Sequence, residues 1–374
     1  MIQIKGKAAE ALCHTDGMDR EASGSLEALC DHELFKDRHI RIMPDVHANG
    51  DGTVTGFTML HREPVILGIE FGSGCGVSCA TLEVPGSGLL SDSKGPEPDY
   101  KKLDEVCHEV PAGRNAFWEP SFDFDFTRLN CYKAISHVYE WPRMLGCLGG
   151  GNHFIEMDTD DEGRFYLVVH NGLGSLSRPA VDYYLDVALG RAGKTRANAC
   201  LEDTCIYGNN MEDFLHDMAL FVELCEINRR HIAQFIASRM GYRIADYTDI
   251  CHHIIDQSDN VVRHGAIAAR PGQRVVIPIN ARDGCLLGTG KGNPEWNFSA
   301  PHGAGRRLSR KKARERLDME TYREAMRGVH TSSVTADNLD EAPDAYKPLE
   351  SIVSAIGDSV EIERILRPVY NYKG

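Results

Sequence analysis

Two strand-like segments on either side of an acidic turn constrain the fold of this chain more than any other feature. Residues 148–157 read LGGGNHFIEM and residues 165–173 read FYLVVHNGL, with DTDDEG between them. Folded back as a hairpin near Asp161 and Glu162, they bring His153 opposite His170, with Cβ atoms about 4.5–5.5 Å apart on a shared face. Two imidazoles at that spacing can share one metal ion or hold two neighbouring ions. A slip of one residue would send them to opposite faces.

The rest of the chain mixes both periodicities. Strand composition recurs at residues 38–43 (RHIRIM), 54–60 and 65–71, and Val77, Cys79 and Thr81 alternate on a further strand. Residues 85–100, rich in Gly, Ser, Pro and Asp, predict a surface loop. Over residues 210–240, Phe214, Met218, Phe221, Val222, Cys225 and Ile232 recur at helical spacing with no internal Gly or Pro, which is the pattern of a helix packed on a core. Residues 351–366 predict another helix through Ile352, Val353, Ile356, Val360 and Ile365, and residues 261–279 supply strand material. No internal repeat is evident. The chain predicts an α+β fold, because strands and helices do not alternate regularly as in a doubly wound sheet.

Composition narrows the class. The chain has 374 residues with 42% hydrophobic and 26% charged residues, which fits a folded protein with a sizeable core, taken as one domain over residues 1–374. No apolar run approaches the roughly 20 residues of a membrane span, and residues 1–24 lack a signal-peptide core, so a cytoplasmic protein is expected. Twelve cysteines without a CxxC pair predict reduced thiols rather than a zinc ribbon. The formal charge is −14, yet residues 302–316 hold seven Lys and Arg against one acid, Glu315. Nucleic acid is therefore expected at a local basic groove, not over the whole surface.

That basic run begins with PHGAGRRLSR, residues 301–310. Gly303 and Gly305 let backbone approach a ligand closely, and Arg306 and Arg310, four apart, can share a helical face and bind phosphate. Two other stretches hold histidine in unusual company. MPDVHANGDG, residues 43–52, places Asp45 and His47 at a strand end. Cys251-His252-His253 offers one of two adjacent histidines to a metal site.

MPDVH, LGGGNHFIE, HGAGRxxSR, the EAPDAYK stretch from Glu341 and the final Lys373-Gly374 together resemble the RtcB family of RNA-splicing ligases, in the family's order across nearly the whole chain. The resemblance implies a fold of mixed β-sheets with flanking helices around a deep metal and GTP cleft. It implies joining of RNA ends bearing a 2′,3′-cyclic phosphate or 3′-phosphate to 5′-hydroxyl ends, with GTP and one or two Mn²⁺ ions, through a histidine–GMP intermediate. By the same resemblance His302 is the guanylylated histidine. His153, His170 and His253 are metal ligands, Asn152 lies near metal-bound phosphate, Glu156, Tyr346 and Lys373 contact guanine, and Arg306 and Arg310 lie near RNA phosphate.

The departures fall around the same cleft. The family's DxGCG metal loop reads here Glu70-Phe71-Gly72-Ser73-Gly74-Cys75-Gly76. Aligned without a gap, Glu70 and Ser73 replace the aspartate and the bridging cysteine; with a two-residue insertion, Cys75 remains the thiolate. The metal set expected is thus Glu70, Cys75, His153, His170 and His253. HSGSRG becomes His170-Asn171-Gly172-Leu173-Gly174-Ser175 and loses an arginine, the family's lysine near Gly50 is replaced, and Ile254 stands for an asparagine. These changes describe a divergent paralogue, in which RNA-end chemistry is altered more than the GTP and metal framework. The alternatives are a metal-dependent nucleotidyltransferase or phosphodiesterase that acts on RNA ends without sealing, and a non-catalytic RNA-binding protein. Retention of His302 with Glu156 and Lys373 argues against the last.

Overall fold

The computed structural model describes residues 1–49, 52–85, 97–113 and 122–374. Gly50 and most of the expected 85–100 loop lie outside the described residues. The fold is α+β, built on two large sheets. The first runs, in spatial order, Ile2–Lys5, Glu10–Cys13, Ile40–Ala48, Val54–Leu60, Val261–His264 and His253–Asp256, with one parallel pair between its second and third strands. The second has seven antiparallel strands in the order Arg243–Cys251, Gly76–Glu83, Phe165–Asn171, Phe154–Thr159, Val360–Lys373, Gly284–Gly290 and Arg274–Asn280. Its two edge strands bury Ile250 and Val275 in one core with Val77, Val168 and Leu366, so the sheet curls around its inner face.

The 33-residue helix Gly208–Met240 joins the two sheets. Its first half buries Phe214, Met218, Phe221, Leu224 and Cys225 with the N-terminal sheet. Its second half buries Ile232, Ala233, Ile236 and Ala237 against the outer face of the seven-stranded sheet. Between the two apolar halves sit Asn228 and Arg229, both fully buried. Burying a guanidinium is tolerable only with full pairing. Arg229 has it: Asp249 accepts from Nε and Nη2 at 2.7 Å each, and the carbonyls of Gly74 and Asn171 accept from Nη1 at 2.9 and 2.8 Å. The pairing ties the ends of two sheet strands to one helix, next to Cys75 and His170.

Several sequence expectations change. Residues 351–366 are not one helix: the helix Leu349–Ala355 stops before Gly357, and Val360–Lys373 is a strand. The apolar residues there satisfy both periods over a short stretch, and pairing on both sides, with Gly284–Gly290 and Phe154–Thr159, selects the strand. Of residues 65–71 only Val65–Ile66 is strand. The hairpin is present, but its register places Phe154, not His153, opposite His170. All twelve cysteines are free. No helix among the described residues is long and apolar enough to cross a membrane.

Candidate active site

A cavity of about 1020 Å³ opens where the two sheets meet. Its walls include Asn152, Glu156, His170, His252, His302, Arg306, Arg310, Tyr346 and Lys373, so side chains dispersed over more than 200 residues of sequence converge on one space.

At one side Cys75 Sγ lies 3.4 Å from His170 Nε2 and 3.7 Å from His153 Nε2. All three potential ligand atoms lie within 4.8 Å of one another. His153 and His170 do meet, although the strand register is shifted by one residue from the symmetric hairpin. His153 precedes the strand, and its Nδ1 meets the Leu148 carbonyl at 2.8 Å, which turns the ring back toward His170; the ring centroids are 5.2 Å apart. His170 Nδ1 meets the Asn152 carbonyl at 3.1 Å. Carbonyl acceptors fix both rings as Nδ1–H tautomers and leave Nε2 lone pairs aimed at the thiol, the usual support for a metal-binding imidazole. Burial keeps both rings neutral, pulling His153 down to about 4 and His170 well below the usual range. Burial pushes the Cys75 thiol up to about 12, a bias that a bound cation would reverse. The donor set of one thiolate and two neutral imidazoles fits a divalent transition-metal ion. Gly172 is required here, since a Cβ on it would sit 2.7 Å from the Cys75 Cα.

Two of the expected metal ligands, Glu70 and His253, fall outside this group. Glu70 is fully buried away from this group: Arg38 and the Ile66 amide donate to one oxygen at 2.8 and 3.2 Å, and His61 Nδ1 lies 2.7 Å from the other. Ser73 Oγ pairs with His253 Nδ1 at 2.8 Å, so Cys75 is the residue brought to the two histidines. His253 stacks on His264 with centroids 4.2 Å apart, whereas His252 stands 5.2 Å from His170 and 4.8 Å from His302. His253 begins a strand of the N-terminal sheet and its ring follows that sheet; His252 falls in the break between strands and turns into the cavity. Among the described residues, the buried His252 Nδ1 has no hydrogen-bond partner. Sequence left the choice between adjacent histidines to alignment, and the one-residue break decides it.

His302 meets Asp45, whose carboxylate is fully buried. Asp45 Oδ2 accepts from His302 Nδ1 at 2.6 Å and from its backbone N–H at 3.2 Å. This leaves His302 Nε2 with its lone pair. Lys347 holds the Asp45 segment by donating to the carbonyls of Pro44 and Val46 at 2.8 and 2.9 Å. Gly305 has φ +71, and a Cβ there would lie 2.0 Å from the Asp45 carbonyl oxygen. The sequence marked Asp45 without a role and missed Lys347.

Opposite, Glu341 collects four donors. Lys373 Nζ lies 2.7 Å and Tyr346 Oη 2.6 Å from Oε2, while Arg306 at 3.2 Å and Arg310 reach Oε1. Burial pushes its carboxyl up, but Lys373, Arg310 and Arg306 outweigh that and bring it down to about 2. Arg306 precedes the helix Arg310–Arg316, so the two arginines do not share a helical face; Glu341 brings them together instead. Glu156 forms a second buried acidic centre, with Asp158. One oxygen of each and the Cys285 sulfur lie within 4.8 Å of one another. Two charges at that separation would repel by about 3–4 kcal/mol at an effective dielectric of ~20, so the pair is more stable with one proton than with none. Burial, joined at Glu156 by its acidic neighbour, pushes Glu156 well up and Asp158 to about 7.

The family model for "tRNA-splicing ligase RtcB" matches residues 133–374. The chain is similar to RNA-splicing ligase RtcB of Escherichia coli (strain K12), at 27% identity over 406 residues covering 96% of each protein. It is also similar to tRNA-splicing ligase RtcB of Aeropyrum pernix, at 25% identity over 431 residues covering 89% of this chain and 87% of that one.

Proposed function

The chain belongs to the RtcB family, and on that premise we propose that it is a GTP-dependent RNA ligase that joins 2′,3′-cyclic phosphate or 3′-phosphate ends to 5′-hydroxyl ends through a GMP adduct of His302. The pairing of His302 Nδ1 with Asp45 carries this reading. It fixes the tautomer whose Nε2 is nucleophilic, and the buried carboxylate stabilises the positive charge that grows on the ring as Nε2 attacks phosphorus. The Nε2–P bond forms at the α-phosphate of GTP as the bond to pyrophosphate breaks. A 2′,3′-cyclic phosphate is first opened by water, which breaks the bond to the 2′ oxygen; GMP then passes from His302 to the RNA 3′-phosphate, and the 5′-hydroxyl attacks that phosphate and displaces GMP. A divalent ion, Mn²⁺ by family, held by Cys75, His153 and His170 with His252 beside them, would offset charge on the phosphate oxygens.

Glu156, Tyr346 and Lys373 are the proposed base contacts, and Asn152, Arg306 and Arg310 the proposed phosphate contacts; all six line the same cavity. The reading takes residues 1–374 as one catalytic unit working in the cytoplasm. One observation favours the second reading, nucleotidyl transfer to an RNA end without sealing. Where the family carries an arginine after its second metal histidine, Leu173 packs into the core and Gly174 starts a helix, so no cation stands there. Incubation with labelled GTP and Mn²⁺, followed by a denaturing gel, tests covalent chemistry. Paired RNA ends then separate sealing from capping: a capped but unjoined 3′ end would move the assignment to the second reading.

A further inference from the structure

Within the strand Ile40–Ala48, residues 43–46 have no residue registered opposite them on either neighbouring strand. Pairing with Glu10–Cys13 ends at Ile42, and pairing with Val54–Leu60 breaks after Ile42 and resumes at His47. Asp45 stands inside this gap. Its Oδ2 accepts both bonds from His302, and its Oδ1 has no hydrogen-bond partner among the described residues. The place of the carboxylate therefore follows the backbone on either side of it, and buried carbonyls without a ladder need another donor.

Lys347 is that donor. Its Nζ gives one hydrogen bond to the Pro44 carbonyl at 2.8 Å and one to the Val46 carbonyl at 2.9 Å, the two groups that flank Asp45. Its backbone N–H donates to the Gly305 carbonyl at 3.0 Å, and Tyr346 before it pairs with Arg306 as an antiparallel bridge. Lys347 is thus anchored on the loop that presents His302 while it grips the segment that presents Asp45. Tyr346 lines the cavity, whereas Lys347 stands outside its lining. Burial pulls the ammonium down, and the carboxylates of Asp45, Asp19 and Asp16 hold it up. An apolar side chain of the same length would fill the space but leave both carbonyls without their donor.

We propose that Lys347 is a positioning residue for the nucleophile: it replaces the missing strand partner of residues 43–46 and, by fixing the backbone around Asp45, sets the Asp45–His302 pairing. The inference rests on the reading of His302 as the GMP acceptor. Lys347 acts through Asp45 and touches no nucleotide. Without it the Asp45 segment shifts, the His302 ring loses its orientation and Nε2 leaves the line of attack on phosphorus, while the walls that bind the nucleotide keep their places.

The test uses Lys347→Met, Asp45→Asn and the double variant in the full chain, with folding checked by circular dichroism. GMP labelling is timed over a range of GTP concentrations with Mn²⁺, and the His302 Nδ1–H and Lys347 Nζ protons are followed by ¹⁵N NMR in the free protein. Lys347→Met should lower the maximal labelling rate about 100-fold and leave the KM for GTP within about twofold. Added to Asp45→Asn, it should cost less than about threefold more, because both changes break one pairing. The His302 Nδ1–H signal should be lost or broadened in Lys347→Met, and the wild-type Lys347 Nζ protons should exchange with water more slowly than those of exposed lysines.

An unchanged labelling rate in folded Lys347→Met would overturn the proposal. So would a raised KM at unchanged maximal rate, which would place Lys347 in nucleotide binding, or fully additive losses in the double variant. Should Lys347→Met fail to fold, Lys347 Nζ protons in the wild type that exchange as fast as exposed ones would overturn it by themselves. Failure of the wild type to form a label would overturn the reading of His302 as GMP acceptor, while the two proton signals still decide whether Lys347 holds Asp45 against His302.

Discussion

Two buried acidic centres border the cavity, and the C-terminal strand serves both: Asn371 reaches Glu156 and Lys373 reaches Glu341. Glu341 sits among three cations and a tyrosine hydroxyl and is held ionised; Glu156 and Asp158 sit among thiols and an amide, and burial pushes both carboxyls up. The same residue chemistry at the same depth therefore has opposite electrostatics. The difference comes from what the neighbouring strands and loops place beside it. The first centre is a fixed charge that organises Lys373, Tyr346, Arg306 and Arg310 into one wall. In the second, burial and the closeness of the two carboxyls disfavour full ionisation.

The largest expected effect is on the first centre. Glu341→Gln removes the shared partner of three cations and should cost about 3–5 kcal/mol at pH 7 in urea unfolding. A carboxyl lowered to about 2 contributes stability above its unfolded value, near 4.5, and loses it as pH falls through the folded one. The gap between variant and wild type should therefore shrink between pH 5 and 2. A gap that stays constant with pH would show that packing, not charge, is what Glu341 supplies.

Lys373→Met should cost less, about 1–3 kcal/mol, because Arg306 and Arg310 still face Glu341. It also removes the positive field on Glu156, so the carboxyl titration of the second centre should move upward. If that titration stays put, the two centres are not coupled through the strand.

Asp158→Asn should have the opposite sign. A carboxyl raised to about 7 binds its proton more tightly folded than unfolded, so stability contributed by that proton is full below about 4 and lost as pH rises to 7. At pH 8 the variant should be more stable than wild type by about 1.4 kcal/mol or more, one pKa unit's worth, and the two should converge near pH 4. A variant less stable than wild type at pH 8 would break the contrast.

The smallest effect on stability is expected at the thiol. Cys75→Ser should leave unfolding within about 1 kcal/mol of wild type while weakening Mn²⁺ binding measured by calorimetry, and Ser73→Ala should leave Mn²⁺ binding unchanged. Silence in the first variant would remove Cys75 from the metal set.

Much of the site was legible because motifs are local. GNHFIE and HGAGR carry their own residues to the cavity, and the 33-residue helix is written in its apolar spacing. What was not legible depends on pairing between distant segments. The hairpin register is set by strand neighbours, and it lies one residue away from the pairing that symmetry about the turn implies. His252 rather than His253 enters the cavity because of a break between two strands of different sheets. Glu70 reads as a ligand until Arg38, 32 residues earlier, is seen to take its charge. Glu341 and Lys347 bracket a motif whose recognisable feature was its order, and nothing in that order tells that one residue collects cations while the other clamps the strand that carries Asp45.

His302, oriented by Asp45, is the proposed nucleophile. Its most direct test is GMP labelling of His302→Ala with labelled GTP and Mn²⁺, alongside circular dichroism to show the fold is retained. The expected result is a folded protein with no covalent label, and with wild type losing its label under acid as a phosphoramidate does. Undiminished labelling of folded His302→Ala would remove His302 from that role.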